Sequence, residues 1–430
     1  MSKHVVVIGG GIGGISTAYD LKKLDKNLKI TLISGRPYFG FTPSYPHLAL
    51  GWRRFEDISL PLAGLLPKHG IEFINEDAES IDPETNKVKT KVGRVVEYDY
   101  LVIATGPKLV FGVEGQEQHS TSVCTAEHAV ELNRKLEDFY RNPGPVVVGA
   151  IPGVSCFGPA YEFAFMLHHE LKKRNLRHKV PITYITSEPY VGHLGLAGVG
   201  PSRRLMEDLM ASRSINWVAN VKITKVEADR VVYEDLEGKV YEAPARLSML
   251  MPRFMGPEVV QSAGEKVANP ANKMVLVNRC FQNPTYKNIY GVGVVTAIPP
   301  VEQTPIPTGA PKTGMMIEQM AMAVAHNIVN DIRNNPDRYA PELSAICIAD
   351  MGGDAMAFFA DPVLPPRNTL VYRRGVIMHY IKSAFERYFM WKVRRGNMAP
   401  WFEEKGLELL LKVHPIHLCS DCSGSPGSAC

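Results

Sequence analysis

The chain has 430 residues, 45% of them apolar and 21% charged, with a formal net charge of +4. That length exceeds one ordinary core and predicts two or three domains, and the composition excludes a disordered chain. The small, dispersed charge offers no footprint for nucleic acid. No window of eighteen apolar residues offers a transmembrane helix, and the apolar run at residues 5–8 leads into glycines rather than a signal-peptide cleavage site.

Residues 4–34 predict a strand, a tight turn, a helix and a second strand. Gly9, Gly11 and Gly14 fit G-x-G-x-x-G in that setting, where glycine permits the turn, backbone approach to a pyrophosphate and close helix packing. The helix N-terminus then faces the phosphates. The acidic residue usual at the end of the second strand is missing; Ser34 and Arg36 stand there and are the candidate ribose and phosphate contacts. Residues 37–65, rich in Pro, Tyr, Phe and Gly, form a loop that runs along a flat cofactor or packs on itself. Residues 72–81, with Ala78 as a further cofactor contact, read as a third strand. Residues 98–107 end in Ala104-Thr105-Gly106-Pro107, which resembles the buried strand and turn by which FAD-dependent reductases leave their first domain. Thr105 and Gly106 join the cofactor set, and the two signals together point to FAD rather than NAD.

Cys124 precedes Thr125, a predicted helix N-cap. Taken alone it is a small buried residue. A strand at residues 145–148 then meets Gly149-Ala150-Ile151-Pro152-Gly153-Val154-Ser155-Cys156. A two-domain flavoprotein reductase carries its NAD(P)H fingerprint here, but Ile151 and Val154 fall near the second and third glycine positions and crowd phosphate out. Cys156 stands just before a helix, whose dipole predicts a lowered thiol pKa and a thiolate. Glu162, further along that helix, is either a proton shuttle or a solvated helix residue. Strands around Val218, Ile223 and Val231 are predicted to continue a second doubly wound unit.

A late strand at residues 288–296 carries Gly293, followed by Val294 where such reductases carry aspartate. The loop ending in Lys312, Thr313 and Gly314 opens a helix predicted over residues 315–330, whose amides, with Lys312, would stabilise negative charge on a reduced flavin. Cys347 lies in a predicted apolar strand. Residues 373–395 read as a basic amphipathic helix with Ile377, Ile381, Phe385, Tyr388 and Phe389 on its apolar face, and residues 401–413 as a second. Basic residues with interfacial aromatics form the pattern of a monotopic membrane anchor, or of two helices packed on the main body. Cys419, Cys422 and Cys430, with His414 and His417, are too loosely spaced for a metal site, so no metal is assigned; a terminal disulfide or free thiols fit better. Cys280 carries no assigned role.

The glycines of residues 9–14, Ala104-Thr105-Gly106-Pro107, the segment around Cys124, residues 153–162, residues 304–313, Cys347 and Phe385 together resemble sulfide:quinone oxidoreductases, the FAD-dependent membrane-associated flavoproteins of bacteria and archaea. The resemblance covers essentially the whole chain. It implies an α/β fold of two Rossmann-like, doubly wound domains plus a C-terminal amphipathic helical region for membrane attachment. Residues 1–110 and 285–340 would hold FAD, residues 111–284 a degenerate NAD(P)H site with the redox cysteine, and residues 341–430 the quinone and membrane region. It further implies Cys156 and Cys347 as the redox pair, and Cys124 as the third cysteine, which tethers FAD in some members. Sulfide attacks the bridged pair, a persulfide grows into polysulfide or sulfur, and two electrons pass through FAD to quinone. Ile346 and Phe385 are then the apolar walls of the quinone site, with Glu318 and Lys312 for polar contacts and proton delivery. A peripheral position on a prokaryotic cell membrane, on either side, and a homo-oligomer, with a trimer as the expectation, complete the implied picture. Two rivals share parts of it: a type-II NADH:quinone oxidoreductase, which needs an intact second fingerprint, and a flavoprotein sulfide dehydrogenase with a cytochrome acceptor, which normally carries an export signal.

Overall fold

The computed structural model describes residues 2–411 and 414–427. The chain runs through β1 (His4–Ile8), α1 (Ile12–Leu24), β2 (Lys29–Ile33), β3 (Glu72–Ile74), β4 (Tyr100–Ile103), α2 (Ala126–Arg141) and β5 (Val146–Ala150). It continues with α3 (Gly158–Lys173), β6 (Ile182–Thr186), α4 (Ser202–Ser212), β7 (Ile215–Ala219), β8 (Leu247–Met251), β9 (Ile289–Gly291) and α5 (Gly314–Ile332). The last part holds β10 (Ala345–Asp350), β11 (Ala355–Asp361), β12 (Thr369–Gly375), α6 (Val376–Arg395) and α7 (Trp401–Leu411).

Two parallel sheets carry the molecule, in orders β9-β4-β1-β2-β3 and β7-β6-β5-β8. Their central strands are nearly continuous Val, Ile and Leu, as sheets covered on both faces require. Each β-α turn of a doubly wound sheet leaves a crevice at the strand C-terminal ends. The β1-α1 turn and the β5-α3 turn both open onto such a crevice. The third sheet, β10-β11-β12, is antiparallel, and α6 packs against it. It brings Cys347 on β10 to the same crevice.

Three sequence expectations change. Residues 72–81 are not one strand: β3 ends at Ile74, and Ala78–Asp82 belongs to a separate antiparallel sheet with Lys87–Thr90 and Val95–Glu97. Likewise only β7 of the strands around Val218, Ile223 and Val231 joins the second parallel sheet, because Lys222–Val226 and Arg230–Glu234 pair with each other as hairpin neighbours. In α6, Phe389 is fully buried against Phe41, at 5.0 Å between ring centroids, rather than on the outer apolar face. Two basic residues of α6 also turn inward: Lys382 pairs with Glu162, and Lys392 with Glu318 at 2.7 Å and with Glu403. Non-local carboxylates decide those directions, and helical periodicity carries no record of them.

At the C-terminal end, Ile416–Leu418 pairs with Tyr339–Pro341, and Cys422 forms a disulfide with Cys280, 142 residues away in sequence. Cys419 is also disulfide-bonded. Lys412, Val413 and Cys430 lie outside the described residues. No helix among the described residues is long and apolar enough to cross a membrane.

Candidate active site

A cavity of about 920 Å³ extends from the β1-α1 turn to α6. Gly9, at φ +115°, takes a conformation closed to L side chains, and a Cβ there would lie 2.2 Å from the Ala104 carbonyl oxygen. A Cβ on Gly14 would lie 1.9 Å from the Gly9 carbonyl, so this glycine serves helix-strand packing and stands behind the cavity wall. Gly11 differs from both: a Cβ there meets nothing within 4 Å. That open space, at the start of α1, is where backbone amides can approach a pyrophosphate. Ser34, Arg36, Ala78, Thr105, Gly106, Gly293, Lys312, Thr313 and Gly314 line the same cavity. The volume and the open glycine turn fit a dinucleotide such as FAD. Sequence reasoning missed Asp77, which also lines the cavity and packs against Gly35. It is a carboxylate beside the position where the usual acidic residue is absent. It lies past β3, beyond the reach of the fingerprint's spacing.

Cys124, Cys156 and Cys347 are free thiols, and all three line this cavity. Thr125 caps α2 by accepting from the His128 amide at 3.2 Å, which sets the backbone beside Cys124. The Cys156 loop lies under a second segment: the Gly153 amide donates to the Pro307 carbonyl at 2.8 Å and the Gly309 amide to the Val154 carbonyl at 2.9 Å. The expected thiolate at Cys156 is not found. Burial pushes its thiol up to about 12, and the neighbouring Cys347 adds to the rise while the Lys312 cation opposes it. Desolvation outweighs the helix dipole here because it acts on the whole charge, whereas the dipole supplies a fraction of one. Cys124 is likewise raised to about 12 by burial, then by Cys156. Cys347 rises to about 11 by burial, with Lys382 pulling it down and Glu162 pushing it up. Lys312 is brought down to about 8 by burial, against the pull of Cys156.

Glu162 is neither solvated nor isolated. It is buried, pairs with Lys382 and accepts the Asp350 amide at 3.1 Å, and Lys382 also donates to the Ile348 carbonyl at 3.0 Å. One ion pair therefore ties α3 to α6 across β10 beside Cys347. Ile346 and Phe385 line the far part of the cavity with Glu318. Burial raises the Glu318 carboxyl to about 7, partly countered by Lys392.

The second parallel sheet ends differently. In a nucleotide-binding unit a carboxylate just past the second strand holds ribose. Glu188, just past β6, is fully buried and accepts from Tyr161 Oη at 2.7 Å, Thr186 Oγ1 at 2.8 Å and the Leu194 amide at 2.7 Å. Three of its acceptor sites are taken by the protein, and Tyr161 stacks on Tyr184 at 4.4 Å beside it. Ile151 and Val154, in the turn after β5, are buried as well.

An open glycine cradle, a second parallel sheet of the same build and a shared cavity holding three thiols define a two-dinucleotide-domain flavoprotein. The chain belongs to the pyridine nucleotide-disulphide oxidoreductase family, whose sequence pattern matches residues 3–325. It is 72% identical to the sulfide-quinone reductase of Aquifex aeolicus (strain VF5), over 100% of both chains. The X-ray structure of the sulfide:quinone oxidoreductase of that hyperthermophile superposes with a TM-score of 0.99 over 100% of both chains, at 72% identity. A type II NADH:quinone oxidoreductase of Staphylococcus aureus (strain NCTC 8325 / PS 47) is 25% identical over 76% of this chain and 82% of its own. Within the family the chain belongs with the sulfide:quinone oxidoreductases.

Proposed function

We propose that the protein oxidises sulfide to sulfane sulfur and passes two electrons to quinone, with FAD as its cofactor and Cys156 and Cys347 as the redox pair. The observation that carries this reading is that those two cysteines line the cavity of the open glycine cradle and lie near enough for Cys347 to influence the ionisation of Cys156. Gly9, Gly11, Ser34, Arg36, Ala78, Thr105, Gly106, Gly293, Thr313 and Gly314 would hold FAD, which supplies a two-electron relay between sulfur and quinone.

Cys156 and Cys347, free thiols in the structure, would first give up two electrons and two protons, with quinone as the final acceptor, to form a disulfide, and hydrosulfide then attacks that disulfide at Cys156. A persulfide bond forms there, the Cys156-Cys347 bond breaks, and Cys347 leaves as thiolate with the electron pair. Lys382 is the cation that acts on that thiolate, and Lys312 the one that acts on Cys156. In balance, hydrosulfide, one proton and quinone give sulfane sulfur and quinol. Glu318, with a carboxyl near neutrality, serves proton delivery to quinone between Ile346 and Phe385. Cys124 is the candidate FAD tether, and acid precipitation tests it: flavin should stay with the pellet and be lost from it in Cys124→Ser.

The domain assignment follows the same reading, with residues 1–110 and 285–340 on FAD, 111–284 on the sulfur side and 341–430 on quinone and membrane. We place the protein peripherally on a membrane through α6 and α7, which expose Ile377, Tyr380 and Ile381, and Trp401 and Phe402, respectively. Anaerobic titration of the flavin-loaded protein tests the activity. Sulfide should bleach the flavin, a soluble quinone should restore it, and NADH should do nothing. Reduction by NADH would favour the type-II NADH:quinone reading, and indifference to sulfide would end this one. Cys347→Ala should keep the yellow colour and lose sulfide bleaching by at least about a hundredfold in rate.

A further inference from the structure

A second cavity, of about 550 Å³, lies apart from the thiols, at the C-terminal end of α3. Its charged lining is lopsided: Lys172, Lys173 and Arg213 face it, with Asp354 as the one carboxylate. Asp354 is already engaged twice, by Arg213 at 3.3 Å and by Arg374 at 2.9 Å. Arg213 is the informative residue. Its side chain is only 12% exposed, yet every oxygen it reaches, on Leu209, Ser212 and Asp354, lies at 3.3 or 3.4 Å. Charge-assisted bonds are normally shorter than that. Nη1 and Nη2 make only these long contacts and one of 3.6 Å from Nη2 to Met351 Sδ, which leaves Nε as the donor without a partner among the described residues and so available to a ligand oxyanion.

His168 adds a neutral donor. Its Nδ1 accepts from Arg177 Nε at 3.0 Å, which leaves the ring proton on Nε2. Burial and then the cations Arg177, Arg213 and Lys172 hold its pKa at about 4, so the ring stays uncharged and the local potential is positive.

The position of this cavity selects the ligand. Arg374, bonded to Asp354, is two residues from the start of α6, where Val376, Ile377 and Tyr380 are 55%, 71% and 67% exposed. Exposed apolar side chains that follow, in sequence, an arginine ion-paired with the cavity's Asp354 link the proposed membrane face to this cavity, and cations beside such a face attract headgroup phosphates. We propose that this cavity binds a phosphate group at the membrane surface, presented by an anionic lipid headgroup and held by Arg213, Lys172, Lys173 and His168. The proposal rests on the peripheral membrane reading above. Inorganic phosphate has the same chemistry, so the experiment separates the two sources.

Flotation of the flavin-loaded protein is measured on phosphatidylcholine vesicles with and without phosphatidylglycerol. The parent should bind about tenfold more tightly when phosphatidylglycerol is present. Lys172→Gln/Lys173→Gln and Arg213→Gln should each lose most of that increment while binding phosphatidylcholine as the parent does. The lysine pair also covers the case that Arg213→Gln, beneath Phe165, fails to fold. In parallel, the rate of lysine acetylation at 172 and 173 is followed as inorganic phosphate is added. Saturable protection, lost in Arg213→Gln, supports the phosphate site whatever its source. A full phosphatidylglycerol increment in the lysine pair overturns the proposal. A parent that floats with neither vesicle defeats the membrane reading and the lipid source with it. In that event protection by inorganic phosphate alone would leave a free-anion site, and no protection would remove the site altogether.

Discussion

Lys312 and Cys156 show how opposing terms set the chemistry of single residues. Burial makes the thiol hard to ionise and the ammonium easy to deprotonate, yet each helps the other hold its charge. The cationic form of Lys312 favours negative charge on sulfur at Cys156, the attacking hydrosulfide included, and with a pKa of about 8 that form is lost as pH rises through that value. The reductive half-reaction with sulfide should therefore decline on the alkaline side above pH 8. Lys312→Met should slow it by about tenfold at pH 7, the equivalent of one pKa unit on the thiol. Lys312→Arg, which keeps its charge, should extend the alkaline limb. Stopped-flow flavin bleaching across pH reads both effects, and identical pH profiles in parent and Lys312→Arg would exclude Lys312 as the source. The linkage to stability has the opposite sense. Because the folded pKa lies below that of the unfolded chain, the unfolded state binds more protons between about 8 and 10.5, and this group's contribution to stability rises with pH across that window.

Elements meet at ion pairs that fix where the cavity walls stand. Lys392, with a side chain that is 0% exposed, joins α6 to Glu318 on α5 and Glu403 on α7. Those carboxylates raise its pKa, although burial alone would lower it. Removing the lysine leaves two neighbouring carboxylates, 17% and 26% exposed, without their cation. Lys392→Ala should cost on the order of 3–5 kcal/mol of stability, and Lys392→Met with Glu318→Gln should cost clearly less than the single change. Urea unfolding of both variants checks this, and an equal loss in the two would show that packing rather than charge dominates. Such pairs also mark the limit of what the chain discloses when read as a string. Gly9 to Gly14 are legible because a backbone constraint is local and only glycine meets it. The start of α5 is legible through Thr313, which accepts the Met316 amide at 3.5 Å as a cap. Glu162 and Lys382 are 220 residues apart, and Lys392 and Glu318 are 74 apart, so neither pairing leaves a periodic trace. Nor does the dipole argument for Cys156 survive, because the helix is local and readable while the burial that overrides it is tertiary.

For the molecule as a whole, the problem is to keep two parallel sheets, the β10-β11-β12 sheet and a two-helix tail around one cavity when the residues that line it come from all of them. Cys347 and Phe385 reach the flavin side only if β10 and α6 stay docked, and the chain leaves α7 for a short strand beside Tyr339–Pro341. The Cys280-Cys422 disulfide closes that return. Across 142 residues it restricts the unfolded chain by about 5 kcal/mol on a loop-entropy basis. The folded tail has other holds, including the Arg279 amide donating to the Gly424 carbonyl at 2.8 Å. Cys422→Ser should thus leave the native arrangement intact at ordinary temperature but lower the melting temperature by about 5 °C for a protein of this size. Sulfide-to-quinone turnover at 25 °C should be unchanged, since neither Cys280 nor Cys422 lines the cavity. Calorimetry paired with turnover separates the possibilities. A melt identical to the parent would mean that the strand pairing alone secures the tail, whereas lost turnover with an unchanged melt would connect this disulfide to the chemistry from which the geometry separates it.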